Sequence, residues 1–167
     1  MAKMKYISKD AVAEAYAKAE HYRLLNEPWQ AESICRDILN VDPENQEAIY
    51  TLILAITDQF INYSGTTSSE ALDLASKLTD PYKAEYCRGL IFERKAIATH
   101  RRQIVRGVYI AFAHFQRAMQ HFEKAEKLQS GTNNESILRW NACVRFIEQH
   151  KLKPSPDKEW VEPFLDV

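Results

Sequence analysis

Apolar side chains return every three or four positions through most of the chain, the period of helices that bury one stripe. Ala11, Ala15 and Ala19 recur every four residues beside Val12, Tyr16 and Tyr22, which predicts a first helix from a Ser8 or Asp10 cap to about Asn26. Pro28 suits the first turn of a second helix, where its missing N–H costs nothing, and "WQAESICRDIL" then buries Ala31, Ile34, Cys35 and Ile38. Asp42 as cap, Pro43 as first residue, and Glu44 and Glu47 near the positive helix end predict a third start. That helix carries Ile49, Leu52, Ile53, Ile56, Phe60 and Ile61 and ends near "NYSGTTSS". A short helix follows over about 70–78, and Thr79, Asp80 and Pro81 repeat the cap-plus-proline device.

From Tyr82 to Leu128 there is no proline, and Gly89 and Gly107 are the only glycines. One helix over that stretch would be ~70 Å long at 1.5 Å per residue. A compact domain predicts a reversal instead, placed at "RRQIVRG", residues 101–107, with Gly107 supplying the left-handed turn residue. "SGTNNES" reads as a loop and "SILRWNACVRFIEQH" as a final helix. Three prolines make the following "KPSPDKEWVEPFLDV" an extended segment. The fold class is therefore all-α, with one helical domain over 1–153 and a proline-rich acidic and aromatic tail over 154–167.

With 167 residues the chain has the size of one domain, and only 4 glycines leave little material for the turns of a β-rich fold. Cys35, Cys87 and Cys143 form no CxxC pair, so neither a zinc knuckle nor a disulfide framework is encoded, and a reducing cytoplasmic compartment is expected. The first residues are basic without the apolar stretch of a secretion signal. The longest aliphatic run, residues 52–56, is too short to span a bilayer, so no membrane insertion is expected. The net charge of −1 hides an asymmetry: residues 1–82 carry 7 basic and 13 acidic side chains, residues 83–153 carry 14 and 6. Such a bipolar chain can steer a charged partner or a second copy of itself, although uneven surface charge is also common.

Aligned on Pro43, Ala19 and Tyr22 fall in the first predicted helix, and Ala31, Cys35 and Ile38 in the second. A later copy places Gly89 and Phe92 before Ala118, Phe122 and Ala125, with a longer spacing between its halves. A poorer middle copy has Ile53 and Ile56, then Ala71, Ala75 and Leu78. The pattern resembles the tetratricopeptide repeat, whose signature runs W-x2-L-G-x2-Y, A-x3-F, P over 34 residues. Ala15, Lys18 and Cys35 depart from it at the Trp, Leu and Phe positions. The resemblance covers roughly residues 11–150. It implies a right-handed stack of about three helix-turn-helix hairpins, with "NESILRWNACVRFI" as a capping helix over the last apolar face. Length and architecture are also similar to the small three-repeat chaperones of bacterial secretion translocators.

In that family the first helix of each repeat lines a concave groove. Carried over, the groove positions are Ala13, Tyr16, Glu20 and Arg23, then Glu47, Tyr50, Leu54 and Thr57, then Lys83, Tyr86, Leu90 and Glu93. Tyr16, Tyr50 and Tyr86 share one repeat position and would offer flat rings and hydroxyls to a peptide; the plain alternative is that they pack between helices. Where some family members grip a terminal carboxylate with Lys and Asn, this chain has Glu20, Leu54 and Leu90, so that clamp is not expected. The resemblance thus implies a non-enzymatic adaptor, scaffold or chaperone-like protein that holds an extended peptide or helix of a protein partner.

Two further segments carry binding chemistry. Arg94, Lys95, Arg101, Arg102 and Arg106 form a basic stretch that could meet an acidic partner or RNA, or simply face solvent. Trp160, Phe164 and Leu165 in the acidic tail suit a docking arm, within the molecule or in a homodimer. No catalytic residue, metal site or cofactor is assigned: HExxH, a phosphate-binding glycine loop and a nucleophile elbow are all absent. His100, His114 and His121 share a heptad phase too wide for one metal. The alternative reading is enzymatic. Arg94 with His100, and Arg145 with His150, resemble the Arg-x4-6-His motif of HEPN-type helical ribonucleases, in which His moves a proton and Arg steadies the phosphorane. Nucleic acid is otherwise not favoured as a partner.

Overall fold

The computed structural model describes residues 1–62 and 68–157. Every regular element among them is helical. A short 3-10 turn (Lys9–Ala11) leads into α1 (Val12–Leu24), followed by α2 (Pro28–Val41), α3 (Gln46–Asp58), α4 (Ser68–Ser76), α5 (Pro81–Arg101), α6 (Gly107–Leu128) and α7 (Glu135–Gln149). Pro28 and Pro81 both occupy first turns, as their spacing predicts. Asp80 caps α5: its carboxylate accepts from the Tyr82 and Lys83 amides at 2.9 and 3.3 Å.

Three starts differ from the sequence reading. Neither Ser8 nor Asp10 caps α1: Ala11 stands at its N-cap position and no side chain caps it. α3 begins not at Pro43 but at Gln46, because Asn45 caps it by accepting from the Ala48 amide at 2.9 Å. Asp42 instead closes α2 and takes a hydrogen bond from the Asn45 side chain. The reversal near 101–107 is present, but Gly107 is not its left-handed residue. Gln103 and Arg106 take that role with φ of 49° and 59°, while Gly107 is the buried first residue of α6. That turn also breaks the histidine heptad, leaving His100 on α5 and His114 and His121 on α6. The short segment 152–157 after α7 has no helix.

Consecutive helices pack side by side, and α1 also touches α3 and α3 touches α5. Side-chain pairs give their direction. Tyr16 meets Thr51 and Arg23 meets Asp58, so α1 and α3 ascend together. Lys83 lies over Tyr50 and Arg94 meets Asp58 on α3 and α5. Arg139 reaches Tyr86, and the His150 and His100 rings meet at 4.5 Å, so α7 runs with α5. The four odd-numbered helices therefore point one way. Between α5 and α6 the pairs run in opposite order: Glu85 with His121, Phe92 with His114.

Small residues sit where helices cross. Ala19, Ala31 and Ala118 are fully buried, and Gly89 lies so close to the Phe122 ring that a Cβ there would overlap it. One apolar cluster gathers Ile49, Ile53 and Ile56 of α3 with Ala71 and Ala75 of α4 and Cys87 and Ile91 of α5. The other gathers Leu90 and Ala96 of α5 with Phe115, Ala118 and Phe122 of α6 and Cys143 of α7. Cys35 and Cys87 are free and buried, and burial pushes their thiols up to about 12, which makes them inert.

His114 is the least expected core residue. It is 1 % exposed, stacks on Phe92, and its Nδ1 has no hydrogen-bond partner among the described residues. Burial, helped by Lys95 and Arg117, lowers its pKa to about 3, whereas the unfolded chain protonates near 6.5. Between those values the unfolded state binds more protons, so this group's contribution to stability is lost as pH falls. By pH 5 the loss is about 2 kcal/mol. Urea unfolding of His114→Phe is expected to show a flatter decline from pH 7 to 5 than the parent chain. Parallel declines would contradict it.

Candidate functional site

The open part of the wall formed by the odd-numbered helices holds most of the predicted groove residues of α1 and α3. Tyr16 on α1 is half-buried and donates to Glu20 at 3.0 Å, and the Thr51 hydroxyl approaches it at 3.4 Å. Beside it lies a cleft of about 480 Å³ lined by Lys9, Asp10, Ala13, Tyr16, Asp42 and Glu47 among others. A second cleft of about 280 Å³ opens between α3, the start of α5 and the α6–α7 loop. Tyr50, Tyr82 and Tyr86 line it with Lys83, Asp80 and Glu135. The Tyr82 and Tyr86 rings stack at 5.9 Å, and the Lys83 ammonium lies 5.7 Å from the Tyr50 ring centre. Burial raises the pKa of all four tyrosines, so their hydroxyls stay protonated and able to donate.

The remaining groove positions are placed differently. Leu54, Tyr86, Leu90 and Glu93 are 8, 6, 1 and 4 % exposed. They are not an open surface along their length, because α7 and α6 pack against that side of α5. Only the edge of Tyr86 reaches the second cleft. Arg139 of α7 donates toward the Tyr86 hydroxyl at 3.4 Å and lies 3.6 Å from Glu93. Burial raises the Glu93 pKa, opposed by Arg139 and Arg94. Thr57 is buried as well, its hydroxyl bonded to the Ile53 and Leu54 carbonyls. Arg23 does not project freely either: it donates to Asp58 at 2.9 Å.

The basic stretch does not form one solvated patch. Arg94 is held inside by Asp58 at 2.8 Å, by the Leu54 carbonyl at 2.9 Å and by the Thr57 hydroxyl. Lys95 donates to Ser68 of α4. Arg101, Arg102 and Arg106 are exposed at the α5–α6 turn, with Arg102 bonded to the Phe60 carbonyl. The tail residues Trp160, Phe164 and Leu165 lie outside the described residues.

The two histidines of the ribonuclease-like motifs do come together. His100 and His150 pack with Phe146 in a ring cluster at the C-terminal ends of α5 and α7. Their motif arginines do not join them in an active-site pattern: Arg94 is engaged with Asp58, and Arg145 is exposed. Among the described residues no group of three or more His, Cys, Asp or Glu could hold a metal ion. Among them also, no helix is long and apolar enough to cross a membrane.

Six residues of the second cleft, Asp80, Tyr82, Leu128, Ser130, Asn133 and Glu135, are not among the predicted groove positions. Asp80 and Tyr82 flank a helix start, and Asn133 in the α6–α7 loop and Glu135 at the start of α7 reach α5 only in the folded chain. Comparison of the chain with protein-family models, with curated proteins and with solved structures gives no match.

Proposed function

We propose that this chain is a non-enzymatic protein-interaction module of tetratricopeptide-like architecture, which stacks helical hairpins and holds an extended peptide segment on their inner wall. The observation that carries the reading is the common direction of α1, α3, α5 and α7, which sets Tyr16, Glu20, Glu47, Tyr50 and Lys83 along one open face. Buried Ala19, Ala31, Gly89 and Ala118 at the crossings support the repeat reading. In this proposal α7 closes the array, and the working surface is confined to the α1–α3–α5 end. Adaptor and chaperone-like roles both suit such a wall, in a cytoplasmic setting. Fixed rings with protonated hydroxyls bind a peptide backbone at low entropic cost. The ribonuclease-like alternative draws support from the His100–His150 contact and loses it at Arg94, whose charge is already spent on Asp58.

Selection from a displayed library of random peptides tests this directly. Enriched peptides are expected to lose about tenfold or more in affinity on Tyr16→Ala or Tyr50→Ala, as aromatic anchors do. Replacing exposed Gln120 on α6 by alanine should leave binding unchanged. Peptides indifferent to both tyrosines would refute the inner wall as the site.

A further inference from the structure

The open wall is acidic, and that sign selects its occupant. In the Tyr16 cleft three carboxylates face one lysine, and in the Tyr50 cleft two face one. Exposed Glu20 lies one turn beyond Tyr16 on α1 and accepts from the Tyr16 hydroxyl. Glu47 and Glu135 enter no ion pair among the described residues, so their charge is not cancelled locally. Glu135 sits near enough to Tyr50, Tyr82 and Tyr86 to oppose ionisation of each hydroxyl. The wall thus pairs carboxylates with ring faces, the two groups that attract an ammonium or guanidinium. Lys83 over Tyr50 is an internal example of that geometry.

Resting on the proposed groove, we infer that the bound segment is cationic: an extended stretch with lysine or arginine at alternating positions and apolar residues between. Alternation places one set of side chains on the wall and the other away from it. Crossing three helices spaced ~10 Å apart takes about ten residues at ~3.3 Å each. The same charge argument disfavours the chain's own tail as occupant. Residues 154–167 carry Asp157, Glu159, Glu162 and Asp166 against Lys158, the wrong sign for this wall. A second copy of the chain, presenting its basic 83–153 half, is the rival source of positive charge.

Three synthetic peptides of about ten residues, identical except for Lys, Ser or Glu at alternate positions, decide the matter by fluorescence anisotropy in low salt. The lysine peptide is expected to bind about tenfold more tightly than the serine peptide and to weaken as salt is raised. The glutamate peptide should be weakest. Glu47→Lys with Glu135→Lys should abolish the lysine advantage, and Gln120→Lys should not. Equal binding of the three peptides would overturn the cationic inference while leaving the groove standing. No binding by any of them would overturn both. Dimerisation in sedimentation that Glu47→Lys and Glu135→Lys dissolve, with no peptide bound, would assign the wall to a second copy and also overturn the inference.

Discussion

Replacing Asp58 by alanine is expected to lower the unfolding free energy by about 2–4 kcal/mol. Asp58 ends α3 between two arginines, taking Arg23 of α1 on one oxygen and Arg94 of α5 on the other, at 2.9 and 2.8 Å. The arginine side chains are 27 and 17 % exposed, so both charges are partly out of water. Burial lowers the Arg94 pKa, and Asp58 is the first group that offsets it. Without the carboxylate, Arg94 keeps its neutral acceptors on Leu54 and Thr57 and the attraction of Glu93, but it loses its ion-pair partner and is left to repel Arg23. The cost is set by that stranded charge more than by the lost bonds. Arg94→Met leaves no stranded cation and should therefore cost less than Asp58→Ala, although it deletes three contacts where Asp58→Ala deletes two. Urea unfolding of both variants checks the order. Asp58→Ala within about 0.5 kcal/mol of the parent would show that these ion pairs are solvent-screened and that the chain of charges is not structural.

This network also shows where a sequence stops being readable. Arg94 sits in a basic stretch and looks like a solvated charge until α3 and α5 are placed side by side. Its partner is more than thirty positions away in the sequence, on another helix. The helix starts were legible where one residue decides them, as Pro28 and Asp80–Pro81 do. At Asp42–Pro43 two candidate caps compete, and Asn45 wins because it reaches the Ala48 amide while Asp42 is occupied in closing α2. The reversal near 101–107 follows from length alone, but its left-handed residues do not: Gln103 and Arg106 accept the turn conformation that glycine would adopt at less cost.

The site was half legible for a related reason. A repeat position says which way a side chain points from its own helix, not what covers that direction. On α1 and α3 the positions of Tyr16, Glu47 and Tyr50 remain open at clefts. On α5 the equivalent direction is filled by α7, so Leu90 and Glu93 become interior and Tyr86 a pillar between helices. A terminal helix was expected to shield the last apolar face; its reach toward α5 depends on side-chain contacts of Arg139, Phe146 and His150, which no local pattern announces.

The second large effect concerns the close approach of Gly89 to the Phe122 ring. Phe122→Ala is expected to cost about 3–5 kcal/mol, since the ring is 1 % exposed and a cavity would replace it. Gly89→Ala is expected to destabilise by about 1–3 kcal/mol, although alanine is the better helix former by ~1 kcal/mol. Its Cβ would overlap the side chain of Phe122, and that ring is also hemmed in by Tyr86 at 5.9 Å. The two effects are not independent. With the ring removed, the three nearest atoms to the methyl group are gone and the helix preference takes over. In a Phe122→Ala background, Gly89→Ala should therefore change sign and stabilise by about 0.5–1 kcal/mol. A double-mutant cycle measured by chemical unfolding reads this coupling directly. Additive effects would mean that the α5–α6 crossing relaxes freely around position 89, and that a small residue there is not what sets the spacing of the hairpin.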